Sequence, residues 1–145
     1  VPHSSQDLEV TAQKAKLYKL ENNEIVPDDF SHEMSLVFKT SKGLVVFNSC
    51  SHAGLINIVT EVMAEFPQDK IYAYVGGLHM KGMRDGIEIC TFSEEEIDQL
   101  IEYVSKEGVK LIYTGHCTGG HQMEILKEEL GDVVEQIYTG MEIRA

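Results

Sequence analysis

Six histidines are spread along the chain, and three of them stand in one sequence context. His52 comes shortly after the apolar run Leu44-Val45-Val46-Phe47. His79 follows Ile71 to Val75, and His116 follows Val109 to Tyr113. Leu44 to Phe47 and Ile71 to Val75 have the composition of buried strands, and Val109 to Tyr113 reads as a further strand. If the strands are parallel and joined by helices, their C-terminal ends share one edge of the sheet. That edge is where open α/β sheets bind ligands. Three imidazoles would then gather in one place, without any short spacing motif to force it. Neutral imidazole is a common zinc ligand and also suits iron or manganese. His3 and His121 lack this context and read as structural or exposed. His32 is intermediate, because it precedes a strand.

Two thiols sit beside these imidazoles, in Cys50-Ser51-His52 and in His116-Cys117. A mononuclear Cys/His zinc site is one use of them. The spacings match no zinc-finger pattern, so Cys50 and Cys117 read more simply as residues that support the site or pack near it. A Cys-His nucleophilic pair and a redox thiol are further alternatives. Gly76-Gly77-Leu78-His79 and Gly115-His116-Cys117-Thr118-Gly119-Gly120 are glycine-rich turns after strands. The second enters a helix, whose first N–H groups can hold an anion. Lys81 and Arg84 lie nearby in sequence and would add positive charge; a solvated loop is the simpler account of them.

The elements that must position these groups follow from periodicity. Leu8 to Leu20 alternates partially and suggests one or two leading strands within residues 1–26. Met34 to Thr40, a turn at Ser41-Lys42-Gly43, and Leu44 to Phe47 suggest a β-hairpin feeding an inner strand. Leu55, Val59, Val62, Met63 and Phe66 recur at helical spacing, and Pro67 ends the run. Leu78 to Thr91 reads as a loop. Ser93-x-x-Glu96 is a capping box opening a second helix, and Gly108 is a natural stop for it. A third helix follows Gly119-Gly120, with Met123, Leu126 and Leu130 inward. Val133 to Tyr138 and Met141 to Arg144 read as short terminal strands, with antiparallel pieces at the start and end of the chain. Strands alternating with helices argue for one α/β domain, 1–145, with a mostly parallel sheet.

Composition narrows the function. A formal net charge of -12 over 145 residues disfavours nucleic acid and an anionic membrane as partners. No apolar run is long enough to span a bilayer. Three cysteines, widely spaced, argue for reduced thiols and a cytoplasmic setting.

The three motifs together resemble a known family. Gly43 to Phe47 running into Cys50-Ser51-His52-Ala53-Gly54, then Val75-Gly76-Gly77-Leu78-His79, then His116-Cys117-Thr118-Gly119 occur in this order. They are similar to the dihydropterin-ribofuranosylaminobenzene-phosphate-synthase-like branch of the metallo-β-lactamase superfamily. The lead-in Asp28-Asp29-x-x-x-Glu33 is similar too, and the likeness covers roughly residues 27–143. The resemblance implies an α/β fold that is half of an αββα sandwich, a mixed sheet with βα repeats and three helices. It implies a divalent metal, often zinc and usually two ions, that activates water for hydrolysis. By motif, His52 and His116 match metal-ligand positions. His79 matches a position facing substrate or supporting the ligands, and Glu33, or less favourably His32, another site position. The resemblance further implies a small-molecule substrate, phosphorylated or phosphodiester-like.

Two departures qualify that picture. The superfamily's HxHxDH motif, which supplies much of the metal site, is absent, and Ser49 stands where the branch usually has Gly. The chain therefore reads as the C-terminal portion of a metal-dependent hydrolase, completed by a missing N-terminal half or by a partner chain. The competing reading is a non-catalytic binding or oligomerisation module. Half a sandwich would leave one apolar sheet face uncovered, so a homo-oligomer is expected.

Overall fold

The computed structural model describes residues 1–3, 8, 14 and 16–144. Its centre is a five-stranded sheet of β3 (Leu36–Thr40), β4 (Gly43–Phe47), β5 (Ile71–Val75), β8 (Leu111–Thr114) and β9 (Val134–Gln136), in that spatial order. β3 runs antiparallel to β4, and β4, β5, β8 and β9 are parallel. Two antiparallel pairs stand apart from it, β1 (Tyr18–Glu21) with β2 (Glu24–Pro27), and β6 (Lys81–Arg84) with β7 (Ile87–Cys90). The three helices among the described residues are α1 (Leu55–Glu65), α2 (Glu94–Glu107) and α3 (Gly120–Leu130). The mixed sheet and three helices are those expected from the βα alternation.

One face of the sheet carries most of the core. Leu44, Val46, Tyr74 and Ile112 pack there against Ile58, Val59 and Val62 of α1, Leu100 and Val104 of α2, and Leu126 of α3. The helix ends follow local chemistry. Ser93 accepts from the Glu96 N–H and Glu96 accepts from the Ser93 N–H, the reciprocal capping box that satisfies two donors at the start of α2. Gly108 closes α2 in the left-handed conformation that favours glycine, at φ 66°. The opposite sheet face carries Val45, Ala73 and Tyr113, flanked by partly buried Phe47, Tyr72 and Val75. Register places Leu36 opposite Phe47 and Phe38 opposite Val45, so both lie on this second face, where they are 60% and 51% exposed.

Several sequence expectations need correction. The stretch Leu78 to Thr91 is no simple loop, because it contains the β6–β7 hairpin. Asp85 and Gly86 both adopt positive φ, as a tight two-residue hairpin turn requires. β9 is parallel to its neighbour, not antiparallel, since α3 carries the chain back before it. Met141 to Arg144 forms no strand. Instead Met141 and Ile143 pack on the second sheet face, and Met141 donates its N–H to the Tyr138 carbonyl in a turn around Gly140. Of the leading strands, β1 begins only at Tyr18; Leu8 lies in a bend and Lys14 in a helical turn. Residues 9–13 and 15 lie outside the described residues.

Candidate metal centre

The C-terminal ends of β4, β5 and β8 are stitched together by backbone hydrogen bonds. Asn48 donates to the Val75 carbonyl (3.0 Å), Gly76 to that of Tyr113 (3.0 Å) and Gly77 to that of Ser49 (2.7 Å). Gly76 and Gly77 are needed for this approach. A Cβ on Gly76 would lie 2.5 Å from the Asn48 oxygen, and one on Gly77 would strike the Cys117 sulfur. The Thr118 hydroxyl accepts the Leu78 N–H (3.0 Å) and pairs with the Thr114 hydroxyl (2.6 Å), tying the turn after β8 to the turn after β5. Ser51, fully buried, bonds the Tyr74 hydroxyl and the Gly77 carbonyl.

This scaffold brings together the three post-strand histidines and two thiols. The rings of His52 and His79 are 4.3 Å apart, and the His116 Nδ1 is 3.8 Å from the Cys50 sulfur. The ligand atoms of Cys50, His79 and Cys117 all lie within 4.8 Å of one another. His79 Nδ1 is buried and has no hydrogen-bond partner among the described residues. Burial, then the neighbouring His52, hold its pKa down to about 4, so the ring is neutral with a lone pair to give. Burial pushes the Cys117 thiol up to about 12. Clustered nitrogen and sulfur donors fit a divalent ion with a taste for soft ligands. Binding would have to displace the thiol protons.

Glu33 supports this edge from below. Its carboxylate accepts the backbone N–H of His52 (3.0 Å) and of Ala53 (2.7 Å), and lies 3.5 Å from the His52 Nδ1. Burial pushes its pKa up, but these hydrogen bonds outweigh burial and hold the carboxylate ionised. Phe30 stacks on the His52 ring at 4.0 Å, nearly parallel. Neither the stacking nor Phe30's positive φ of 53° has a signature in the sequence. His32 stays outside, largely exposed and 3.8 Å from Asp28. His121 is exposed beside Glu124. His3 is buried and structural, bonded to Glu61 (2.7 Å) and to Ser35 (2.7 Å).

A cavity of about 550 Å³ adjoins the cluster through His79. Lys14, Lys16, Lys81 and Arg84 line it, together with Met83 and Ile89. Lys81 and Arg84 thus belong to a hairpin wall beside the site.

No protein-family model matches the chain. It is 34% identical over 128 residues to the 7,8-dihydropterin-6-methyl-4-(β-D-ribofuranosyl)-aminobenzene-5′-phosphate synthase of Methanocaldococcus jannaschii, an alignment spanning 88% of the chain and 40% of that enzyme. Its fold superposes on the crystal structure of a metal-dependent hydrolase of the β-lactamase superfamily with a TM-score of 0.74 and 30% identity, covering 88% of the chain and 46% of the hydrolase. The chain therefore spans less than half the length of either relative. Fold and ordered motifs agree: in sequence and structure the chain is similar to a portion of a metal-dependent hydrolase of the β-lactamase superfamily.

Proposed function

We propose that the chain forms the C-terminal portion of a metal-dependent hydrolase, with its ion at the edge where β4, β5 and β8 end. The carrying observation is the cluster of Cys50, His79 and Cys117, whose ligand atoms lie within 4.8 Å of one another, together with a buried His79 Nδ1 that has no hydrogen-bond partner among the described residues. His52 and His116 flank this trio and add two imidazoles to the donors that this chain offers. A divalent ion there would act as a Lewis acid and lower the pKa of water into the neutral range. The chain's own residues prepare for it. Glu33 and Phe30 fix the His52 ring, Thr118 fixes the turn that presents His79, and burial keeps His79 unprotonated. The high pKa of Cys117 speaks against the redox-thiol reading, which needs a ready thiolate.

The superfamily's remaining motif is absent here, so the full site is completed by further polypeptide. The exposed second face, with Leu36 and Phe38, is where a second sheet or a second copy would pack. The name of the Methanocaldococcus relative, a 5′-phosphate synthase, favours a small-molecule substrate bearing phosphate. The test is hydrolysis of bis(4-nitrophenyl) phosphate, with added zinc or manganese, by the completed protein that contains this chain. Chelator-sensitive turnover that His79→Ala lowers by at least about 100-fold is expected. Turnover that ignores both chelator and mutation would remove the hydrolase reading.

A further inference from the structure

A strand at the edge of a sheet offers a row of backbone N–H and C=O groups to another strand. β3 is such a strand, bonded on one side by β4 and open on the other along Leu36–Thr40 among the described residues. Just before β3 the open side is taken. The Val1 nitrogen donates to the Ser35 carbonyl (2.9 Å), and the Ser35 N–H donates to the Val1 carbonyl (2.8 Å). The His3 N–H donates to the Glu33 carbonyl (3.0 Å), and Pro2 stands opposite Met34 in an antiparallel bridge. From His3 back to Val1 this pairing advances toward β3. Its next steps along the edge lie beyond the Val1 nitrogen.

Register fixes what those steps meet. Backbone groups point alternately to the two sides of a strand within its sheet. Ser35 turns its pair toward Val1, so Val37 and Lys39 turn theirs to the same side, where no described residue bonds them. Leu36 and Phe38 turn theirs toward β4, with Phe47 and Val45 opposite.

We propose that the polypeptide joined to Val1 in the completed protein continues this pairing as an antiparallel strand along the outer edge of β3. The second residue before Val1 exchanges hydrogen bonds with Val37, and the fourth with Lys39. The first and third lie beside Leu36 and Phe38. This rests on the reading that further polypeptide completes the protein, as the relatives' lengths support: the matches cover only 40% and 46% of them. The consequence reaches the candidate metal centre. The same ladder ends on Glu33, whose carbonyl takes the His3 N–H and whose carboxylate holds the N–H groups of His52 and Ala53. The added strand thus ties the preceding polypeptide to the loop that carries His52.

The test is amide hydrogen exchange on the completed, metal-free protein. Val37 and Lys39 should exchange as slowly as Leu36 and Phe38, at least about 100-fold slower than an unstructured peptide. Fast exchange at Val37 and Lys39, with Leu36 and Phe38 protected, would overturn the strand. So would protection that vanishes on dilution, which would give the edge to a second copy. Register is read by cross-linking. Phe38→Cys should form a disulfide within one chain with a cysteine placed at the third residue before Val1, and none with one placed at the second, which faces the other way. The opposite preference would overturn the register. A protected edge in a protein without chelator-sensitive turnover would uphold the strand and remove the hydrolase reading alone. Turnover with an open edge would remove the strand alone.

Discussion

The two edges of the central sheet are built by different rules. At the edge where β4 and β5 begin, the chain turns on residues suited to turning: Gly43 and Gly108 take the positive φ values of 131° and 66°. At the edge where those strands end, positive φ falls on Ser51, His79 and His116, at 58°, 47° and 53°. A side chain in that conformation costs about 1–2 kcal/mol relative to glycine. The far edge avoids the cost, and the site edge accepts it three times to keep a hydroxyl and two imidazoles in place. Local strain marks the edge where side-chain identity matters more than backbone comfort.

That contrast can be broken by mutation, and the largest effect is expected at Glu33. Glu33→Ala leaves the N–H groups of His52 and Ala53 without their acceptor and should destabilise the metal-free chain by about 2–5 kcal/mol in urea unfolding. A loss under about 1 kcal/mol would mean that the carboxylate does not hold this loop. Gly77→Ala should cost about 1–3 kcal/mol by driving a methyl group into Cys117, and should weaken metal binding with it. Gly108→Ala, at the other edge, has open space around it and should cost about 1 kcal/mol through its φ alone, with metal binding unchanged. If both glycine variants lose metal equally, the two edges are not independent.

The smallest effect is one of pH. His79 titrates near 4 when folded and near 6.5 when unfolded, so the unfolded chain binds the extra proton between those values. The stability this residue contributes is present above pH 6.5 and is lost as pH falls toward 4. In chelator, His79→Phe should flatten the fall in urea midpoint across that window. An unchanged slope would place the acid sensitivity elsewhere.

The sequence made one class of information plain and hid another. Local chemistry was readable: the capping box at Ser93, the left-handed stop at Gly108, the β3–β4 hairpin, and three histidines following three apolar runs. The β6–β7 hairpin was also signalled, by Asp85-Gly86 between short β-rich segments, and reading that stretch as a loop missed it. Other features have no local cause. His3 is placed by Glu61 and Ser35, 58 and 32 residues away, and Phe30 meets the His52 ring only through the tertiary fold. Residue order on the strands placed His79 at the right edge. Its buried Nδ1, and its closeness to the thiols of Cys50 and Cys117, became visible only in the tertiary fold.

The most direct test of the central claim is metal content per chain after incubation with zinc and gel filtration. It should be measured on wild type, on His52→Ala with His116→Ala, and on Cys50→Ser with His79→Ala and Cys117→Ser. Stoichiometric zinc in wild type, reduced in the first variant and abolished in the second while both stay folded, is the expected result. Wild type that retains no zinc, or a triple variant that retains as much as wild type, would contradict a metal centre at this edge.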